Sequence, residues 1–268
     1  MIAWFSGKKK VQAPGIEKSD FVAISSHELR SPLSIIKWYT EILLDEDVGP
    51  LNEEQKKYLT VIENSNQRAI DLIRSLLNVS RLDLDTFGIS PENVVISDTV
   101  DAIISEMKEV SSKKSIEVIH EKKEGLRSIQ ADKHLCALVL KHPLTNAIAF
   151  SKEGGSVKVV TSLVPRHSSV GGVVLSKESI IVSITDTGLG IPEKDQAKIF
   201  SKMFRGSNVE DATGSDSGLG LYITKTVMNL AQVGGDIWFE SEIRKGATFY
   251  IAFPTKGMRK KEGRTVLE

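Results

Sequence analysis

An apolar pattern of helical period, interrupted once, runs from Ser19 to Leu82 and limits what the first third of the chain can form. Up to Leu44, apolar residues recur every three or four positions, which is the spacing of a broad helix face. The interruption contains Gly49–Pro50, and Asn52 after it is a favourable N-cap. Steps of four and three residues then continue to Leu82. The pattern predicts two long helices joined by a short turn, a helical hairpin.

Both predicted helices are apolar over more than one face. The first has two adjacent apolar stripes, and the second repeats an apolar residue through three heptads from Tyr58 to Val79. A single hairpin cannot bury all of this surface, whereas two copies packed as a four-helix bundle can. The pattern therefore predicts a homodimer.

After the stretch DLDTFGISPENV the pattern changes to short β-like runs that alternate with helical stretches. This alternation is typical of a sandwich of helices on a sheet. The predicted fold class is α+β: a long helical hairpin that forms a dimeric four-helix bundle, followed by an α/β two-layer sandwich. The predicted boundaries are 1–18 for a linker or juxtamembrane stub, 19–87 for the hairpin, 88–256 for the sandwich and 257–268 for a polar tail.

The composition excludes some classes of protein. Lys+Arg and Asp+Glu both number 35, so the net charge of +0 gives no general reason to expect nucleic acid as a partner. Cys136 is the single cysteine, which rules out an intrachain disulfide and favours a reducing, cytoplasmic location. No apolar run is long enough to span a membrane. The start MIAWFSGKKK fits either a solvated terminus or the cytoplasmic flank of a spanning helix.

The stretch ITDTGLGIP follows an apolar run and has the features of a ligand-binding turn. Gly188 and Gly190 can adopt backbone angles that other residues resist, and both allow a planar ligand to approach the chain closely. Asp186, just before them, offers a carboxylate that can accept a hydrogen bond from the exocyclic amine of adenine. Glycine-rich turns after strands are common, so this stretch alone is a weak indication of a site.

A second glycine-rich stretch, GSDSGLGLYITKTVM, runs into a helix that is predicted to start near Leu219. A helix N-terminus offers unpaired N–H groups and a partial positive charge, which suit phosphate oxygens. Gly218 and Gly220 allow the backbone to close on them. Neither a P-loop nor a Rossmann glycine pattern is present, so another kind of nucleotide pocket is predicted. Further on, the stretch RKGATFYIAF places Gly246 and Thr248 at the start of a closing strand.

Upstream, the helical stretch LVLKHPLTNAIAFSKEGG carries Asn146. Its amide can supply an oxygen ligand to Mg²⁺, which keeps several waters and binds substrate phosphates with few protein ligands. Any one of these elements is more often structural than functional. Four of them in this order favour a nucleotide site that uses Mg²⁺.

In this order the stretches resemble the sequence boxes of the sensor histidine kinases of two-component signalling. SSHELRSPL resembles their phosphoacceptor box, TNAIAFS the asparagine box and IFSKMFRG the phenylalanine box, while DTGLG, GLGL and GATF resemble the three glycine boxes. The resemblance extends from about Asp20 to Phe253. It implies an enzyme that uses Mg-ATP to phosphorylate its own histidine and then passes the phosphoryl group to an aspartate of a response regulator.

By this resemblance His27 accepts the γ-phosphoryl group of ATP on an imidazole nitrogen. Glu28 is positioned to hold or polarise the other ring nitrogen. Pro32 lacks an N–H, so the carbonyl of Glu28 loses its helical partner and the helix is expected to bend near His27. Ser31 stands where the family usually has a threonine for dephosphorylation of the receiver, so its hydroxyl is compatible with phosphatase activity.

The resemblance also implies the residues of the ATP site. Asp186 would bind adenine, and a lid is expected from about Arg205 to Ser217, with Phe200 and Phe204 as its apolar anchors. The expected nucleotide-binding residues are Asn146, Asp186, Gly188, Gly190, Phe204, Arg205, Gly218, Leu219, Gly220 and Thr248, with Asn146 as the metal ligand.

The asparagine box departs from the family pattern at three positions. His142 replaces an asparagine, Pro143 an apolar helix former and Ala149 a lysine or arginine. A proline inside a helix can cost about 3 kcal/mol, and a kink is expected one turn before Asn146. Two hypotheses stay open: an active autokinase, and a degenerate dimeric scaffold or phosphotransfer module that binds nucleotide weakly. The helical hairpin argues against a third, an ATPase of the chaperone or mismatch-repair type.

Overall fold

The computed structural model describes residues 18–209 and 217–267, and for residues 18–27 it describes the backbone alone. The predicted N-terminal stub up to residue 17, the side chain of His27 and residues 210–216 of the predicted lid lie outside the described residues. Within the described part of the chain, no helix is long and apolar enough to cross a membrane.

The described chain begins with the predicted hairpin of two helices, α1 (Lys18–Leu44) and α2 (Glu53–Asp83). The side chain of Asn52 caps α2 by accepting a hydrogen bond from the Gln55 amide at 2.8 Å, and the Gln55 side chain accepts one from the Asn52 amide at 2.9 Å. This capping box satisfies two N–H groups at the helix start. α1 remains one helix through its internal proline.

The hairpin leaves apolar side chains exposed on both helices. Each of ten large apolar side chains keeps between 39% and 58% of its surface exposed. These are Leu29, Ile35, Ile36, Trp38 and Tyr39 on α1, and Tyr58, Val61, Ile62, Leu72 and Leu76 on α2. A soluble protein rarely leaves so large an apolar surface open unless another surface covers it.

The rest of the chain is built around a five-stranded mixed sheet in the order β2-β4-β7-β9-β8. Strand β2 runs parallel to β4, and the other neighbours are antiparallel. The strands of this sheet are β2 (Glu117–Lys122), β4 (Ser156–Val164), β7 (Ser179–Asp186), β8 (Asp236–Glu242) and β9 (Gly246–Pro254). Two short pairs lie outside it, β1 (Glu92–Val94) with β3 (Ile129–Ala131), and β5 (Ser169–Val170) with β6 (Val173–Val174).

Five helices accompany these strands in the described part of the chain. They are α3 (Ile96–Glu106), α4 (Lys108–Lys113), α5 (Lys133–Phe150), α6 (Glu193–Gln196) and α7 (Gly220–Met228). α5 packs against α3, α7 and strand β7, and their apolar side chains share one core with the sheet. On the sheet, a smaller apolar cluster forms where Leu175 packs with Ile181 and Ala252. The predicted α+β fold, a helical hairpin followed by a two-layer sandwich, is confirmed.

Two details differ from the sequence-based expectation. α5 continues unbroken through Pro143, although the proline removes one backbone N–H from its interior. The segment predicted as a polar tail buries Met258 and Leu267, because it packs back onto the chain between the hairpin and the sandwich. The predicted ends of the two hairpin helices and the predicted start of α7 lie within one residue of the observed positions.

Candidate functional site

A cavity opens between α5, the start of α7 and the end of β7. Ten of its lining residues are apolar: Ala147, Phe150, Leu189, Ile191, Ile199, Phe204, Val209, Leu221, Ala247 and Phe249. The polar side chains that line it belong to Asn146, Asp186, Arg205 and Asn208. An apolar slot with a few polar groups at its edges suits a flat heterocycle.

Asp186 ends β7 and lies in the wall of this cavity, only 7% exposed. Its Oδ1 accepts hydrogen bonds from the Gly188 amide at 2.8 Å and the Ala247 amide at 3.3 Å. Burial raises the pKa of Asp186 above its ordinary 3.8, and the two amides oppose that rise. Among the described residues, Oδ2 has no hydrogen-bond donor, so a ligand can supply one.

The glycines of this turn are required by close backbone contacts. A Cβ on Gly188 would lie 2.3 Å from the carbonyl oxygen of Phe150. Gly190 has a φ of +64°, and a Cβ there would lie 2.1 Å from the carbonyl oxygen of Glu242. Any side chain at either position would therefore push the turn away from α5 or from the end of β8.

The segment after α6 closes one side of the cavity through contacts that are distant in sequence. The Asn208 side chain donates to the carbonyl of Gly190 at 2.9 Å. Asp195 accepts from the amide and the hydroxyl of Ser207 at 2.7 and 2.8 Å, and these bonds hold the pKa of Asp195 below its usual range. Sequence reasoning missed Asp195 and Asn208, because no local pattern marks partners 12 to 18 residues apart.

Phe200 and Phe204 differ in what they contact. Phe200 packs edge-on against Phe239, with ring centroids 5.9 Å apart, and does not line the cavity. Phe204 packs against the core and also lines the cavity beside Arg205.

The predicted phosphate-binding stretch lies at the start of α7, beside the cavity. Gly218 has a φ of +68°, and a Cβ there would lie 2.7 Å from the carbonyl oxygen of Phe204. The side chain of Leu219 is 1% exposed and belongs to the core, so only its backbone can face a ligand. Of this helix start, Leu221 lines the cavity, whereas Gly218, Leu219 and Gly220 do not.

The imidazole of His142 packs directly against Gly220. A Cβ on Gly220 would lie 2.8 Å from Nδ1 and 2.9 Å from Cγ of His142. Burial, together with the charge of Lys141, lowers the pKa of His142 to about 4, so the ring is neutral at neutral pH. Its Nε2 is enclosed and has no hydrogen-bond partner among the described residues, which is a cost that a ligand or water can relieve.

Asn146 follows His142 by one helical turn on α5, and its side chain lines the cavity. The described residues contain no cluster of three or more His, Cys, Asp and Glu side chains that could hold a metal. A cation would therefore have one amide ligand here and take the rest from phosphates and water, which fits Mg²⁺. Thr248 lies outside the lining, with its hydroxyl 3.0 Å from that of Thr185.

The predicted phosphoacceptor residues lie on α1. Glu28 and Ser31 are exposed, and Ser31 follows His27 by one helical turn. The backbone of His27 is helical, while its side chain lies outside the described residues. These residues belong to the hairpin and not to the cavity, so any chemistry between them requires the two domains to approach each other.

Two family profiles match the chain. Residues 17–85 match the "His Kinase A (phospho-acceptor) domain", and residues 131–257 match the "Histidine kinase-, DNA gyrase B-, and HSP90-like ATPase". The first range contains the hairpin, and the second contains the cavity. Together they account for most of the chain.

Similar curated proteins are named as histidine kinases. The chain is 30% identical over 245 residues to the sensor histidine kinase WalK of Bacillus subtilis (strain 168), across 90% of this chain and 37% of WalK. It is 29% identical over 245 residues to the signal transduction histidine-protein kinase BarA of Escherichia coli (strain K12), across 91% of this chain and 25% of BarA. The chain thus spans well under half the length of either relative.

Solved structures share the fold. Full-length ShkA in complex with AMPPNP superposes with a TM-score of 0.67 at 24% identity, over 91% of this chain and 47% of ShkA. The histidine kinase ThkA in complex with the response regulator protein TrrA gives a TM-score of 0.56 at 22% identity, over 88% of this chain and 61% of that one.

Replacing Gly220 by alanine should force His142 and the start of α7 apart. Because overpacking of this kind costs about 1–3 kcal/mol, the free energy of unfolding should fall despite the gain of up to about 1 kcal/mol in helix propensity. Chemical denaturation of Gly220→Ala measures this change. The double variant Gly220→Ala with His142→Ala should recover most of the lost free energy of unfolding. If the effects of the two substitutions on this free energy simply add, the contact is contradicted.

Proposed function

Because the chain belongs to the sensor histidine kinases of two-component systems, we propose that it uses Mg-ATP to phosphorylate its own His27 and then passes the phosphoryl group to an aspartate of a response regulator. The observation that carries the proposal is the cavity in which Asp186 and Asn146 lie at the edges of an apolar slot. The same chain carries a helical hairpin whose first helix contains His27.

In the proposed complex, adenine occupies the apolar slot and donates its amine hydrogen to the free Oδ2 of Asp186. The phosphates extend toward the start of α7, around Gly218, Leu219 and Gly220, where the helix N-terminus offers a partial positive charge. Mg²⁺, when bound, neutralises phosphate charge, and the side chain of Asn146 helps to hold it.

In the first half-reaction a neutral imidazole nitrogen of His27 attacks the γ-phosphorus. The new N–P bond forms as the bond from phosphorus to the β-bridging oxygen breaks, and ADP leaves. Glu28 stabilises the proton that remains on the other ring nitrogen. In the second half-reaction the phosphoryl group passes from nitrogen to a receiver carboxylate. Ser31, which is exposed one turn from His27, would orient the water of a phosphatase reaction.

The alternative of a degenerate scaffold depends on His142, Pro143 and Ala149. α5 stays helical through Pro143, and Asn146 still lines the cavity. The Lys114 ammonium binds the carbonyl oxygen of Ala149 at 2.5 Å, so the end of α5 has a cation that faces the helix and not the cavity. The unbroken helix and the position of Asn146 favour an active kinase over a scaffold, whereas Lys114 does not replace the cation that the family has at position 149.

The homodimer is part of the proposal. The ten exposed apolar side chains of α1 and α2 form a surface that a second hairpin can cover, as in a four-helix bundle. Since signalling in the family requires a receiver, a response regulator is the second proposed partner. The location would be cytoplasmic, as part of a longer sensor.

Replacing His27 by alanine should abolish autophosphorylation and leave ATP binding intact, because the residue accepts the phosphoryl group but lies outside the cavity. Incubation with γ-labelled ATP and Mg²⁺, followed by acid and base treatment, should give an acid-labile, base-stable label on the parent alone. No label on a folded, dimeric parent would reject the kinase and favour the scaffold.

Asp186→Asn should weaken ATP binding about 10–100-fold, because the amide NH₂ would face the adenine amine and a hydrogen bond to a charged group is worth about 1.5–3 kcal/mol. Titration calorimetry with a non-hydrolysable ATP analogue measures the change. Asp98→Asn, at an exposed carboxylate far from the cavity, is the matched control and should bind normally.

The same variant should not lose stability at neutral pH. The pKa of Asp186 is raised in the fold, so its contribution to folding is fully present below the ordinary value of 3.8 and is lost as the pH rises through the raised value. Removing the charge relieves that cost at pH 7. A large drop in melting temperature would show that the carboxylate is mainly structural.

Leu76→Glu should shift the dimer toward monomer, with a dissociation constant at least about tenfold higher, because a carboxylate would be buried without a partner in the bundle. Sedimentation equilibrium measures this shift. Lys57→Glu, an exposed polar position on the same helix, should leave the mass unchanged. A parent that is monomeric at every concentration would contradict the bundle.

A further inference from the structure

The segment from Lys256 to Leu267 crosses the junction between the hairpin and the sandwich domain. It forms a parallel bridge from Thr265 to Phe87 and an antiparallel bridge from Lys261 to Ile89. The amides of Gly88 and Ile89 donate to its carbonyls at 2.8 and 2.9 Å. Phe87 and Ile89 are fully buried, so the junction is a packed structure and not a free linker.

Lys261 makes the central polar contacts of this junction. Its side chain is 11% exposed, and its ammonium donates to the carbonyl of Asp85 at 3.0 Å and to the carbonyl of Phe87. The Asp85 carboxylate lies 3.3 Å away, and the Phe87 ring centroid 4.2 Å away. The ammonium thus sits just past the end of α2, where the helix dipole favours a positive charge.

The same segment is tied to both domains. Arg81 of α2 donates to the carbonyl of Val266 at 2.6 Å. On the sandwich side, the Met258 amide donates to the carbonyl of Gln130 at 2.7 Å. A further ion pair joins Lys202 of the sandwich domain to Asp83 of α2 at 2.7 Å. These contacts hold the sandwich domain against the last turn of α2.

This position is distant from the level of the phosphoacceptor. The Asn66 side chain donates to the carbonyl of Leu33 at 2.8 Å, which aligns the antiparallel helices. His27, six residues before Leu33, is then level with a residue near Leu72. Asp83 lies eleven residues farther along α2, about 16 Å at 1.5 Å per residue, so the Lys202–Asp83 contact joins the sandwich domain to the hairpin about three helical turns from the level of His27.

We propose that Lys261 is a positioning residue for autophosphorylation, which latches the junction and holds the sandwich domain in a resting position away from His27. This inference rests on the proposed function. Val79 and Leu82 of α2 also pack into the sandwich core, so the latch is one of several restraints. Loosening it raises the rate of phosphoryl transfer several-fold and does not change the ATP site.

The test compares Lys261→Met, which keeps an apolar stem and removes the ammonium, with Lys260→Met. Lys260 is the adjacent lysine, 70% exposed and paired with Glu262, and is the matched control. Two experiments are made on the full chain. One measures hydrogen exchange at the Gly88 and Ile89 amides, and the other measures kcat and KM for ATP in autophosphorylation.

Lys261→Met should exchange both amides at least about tenfold faster, equivalent to about 1.4 kcal/mol, and raise kcat at least threefold with KM unchanged. The control should match the parent in every measurement. Unchanged exchange would overturn the latch, and faster exchange with an unchanged or lower kcat would overturn its resting role. A parent and variant that both lack label would reject the proposed function, and this inference with it.

Asp85→Asn provides a second test of the latch, which still applies if the Lys261 variant does not fold. The Asp85 side chain is 73% exposed, and its φ of 54° is one that asparagine tolerates. This variant weakens the hold on the ammonium and keeps the backbone, so a smaller rise in exchange and in kcat is expected. A well-folded Asp85→Asn protein without either change would count against the latch.

Discussion

The close approach of α5 to the first turn of α7 is the contact on which the candidate site depends. The imidazole of His142 occupies the space that a Cβ on Gly220 would need, so α5 packs through this one side chain directly against the backbone at the start of α7. α5 also packs against β7, and this places Asn146 in the same cavity as Asp186. The distance between Asp186 and the start of α7 is therefore set by the packing of α5 against both.

Local signals in the sequence predicted most of the fold. The heptad pattern and Asn52 placed α2 within a residue of its observed start, because helix period and capping depend on neighbours in sequence. Gly188 and Gly190 were predicted to let a planar ligand approach the chain, whereas the structure shows backbone carbonyl groups in close contact with both of them. Asp186, Asn146 and Phe204 lie together in the cavity, although their roles toward a ligand stay predictions.

Contacts between residues far apart in sequence were not predictable. Nothing near Asp195 indicates that its carboxylate binds Ser207, and a run such as KGMRKKEGR reads as a solvated tail because it is rich in charge. Lys261 is mostly covered in that run because it packs over Phe87 and Ile89. Its ammonium donates to the carbonyl of Phe87, and its amide donates to the carbonyl of Ile89. The composition of such a run indicates only that most of its residues are exposed. Whether one residue is buried depends on the surface of the folded chain against which it packs.

The two domains are joined by apolar and polar contacts that differ in what breaking them requires. Separating Val79 and Leu82 from the shared core exposes apolar surface to water, at about 25 cal/mol per Å². Releasing the Lys261 ammonium exchanges its carbonyl partners for water, which costs only about 1.5–3 kcal/mol because water solvates the separated groups. The proposed phosphoryl transfer requires the two domains to part and meet again, and contacts of the second kind between them allow this. The polar junction therefore suits a reversible restraint, while the apolar end of α2 keeps the domains from separating fully.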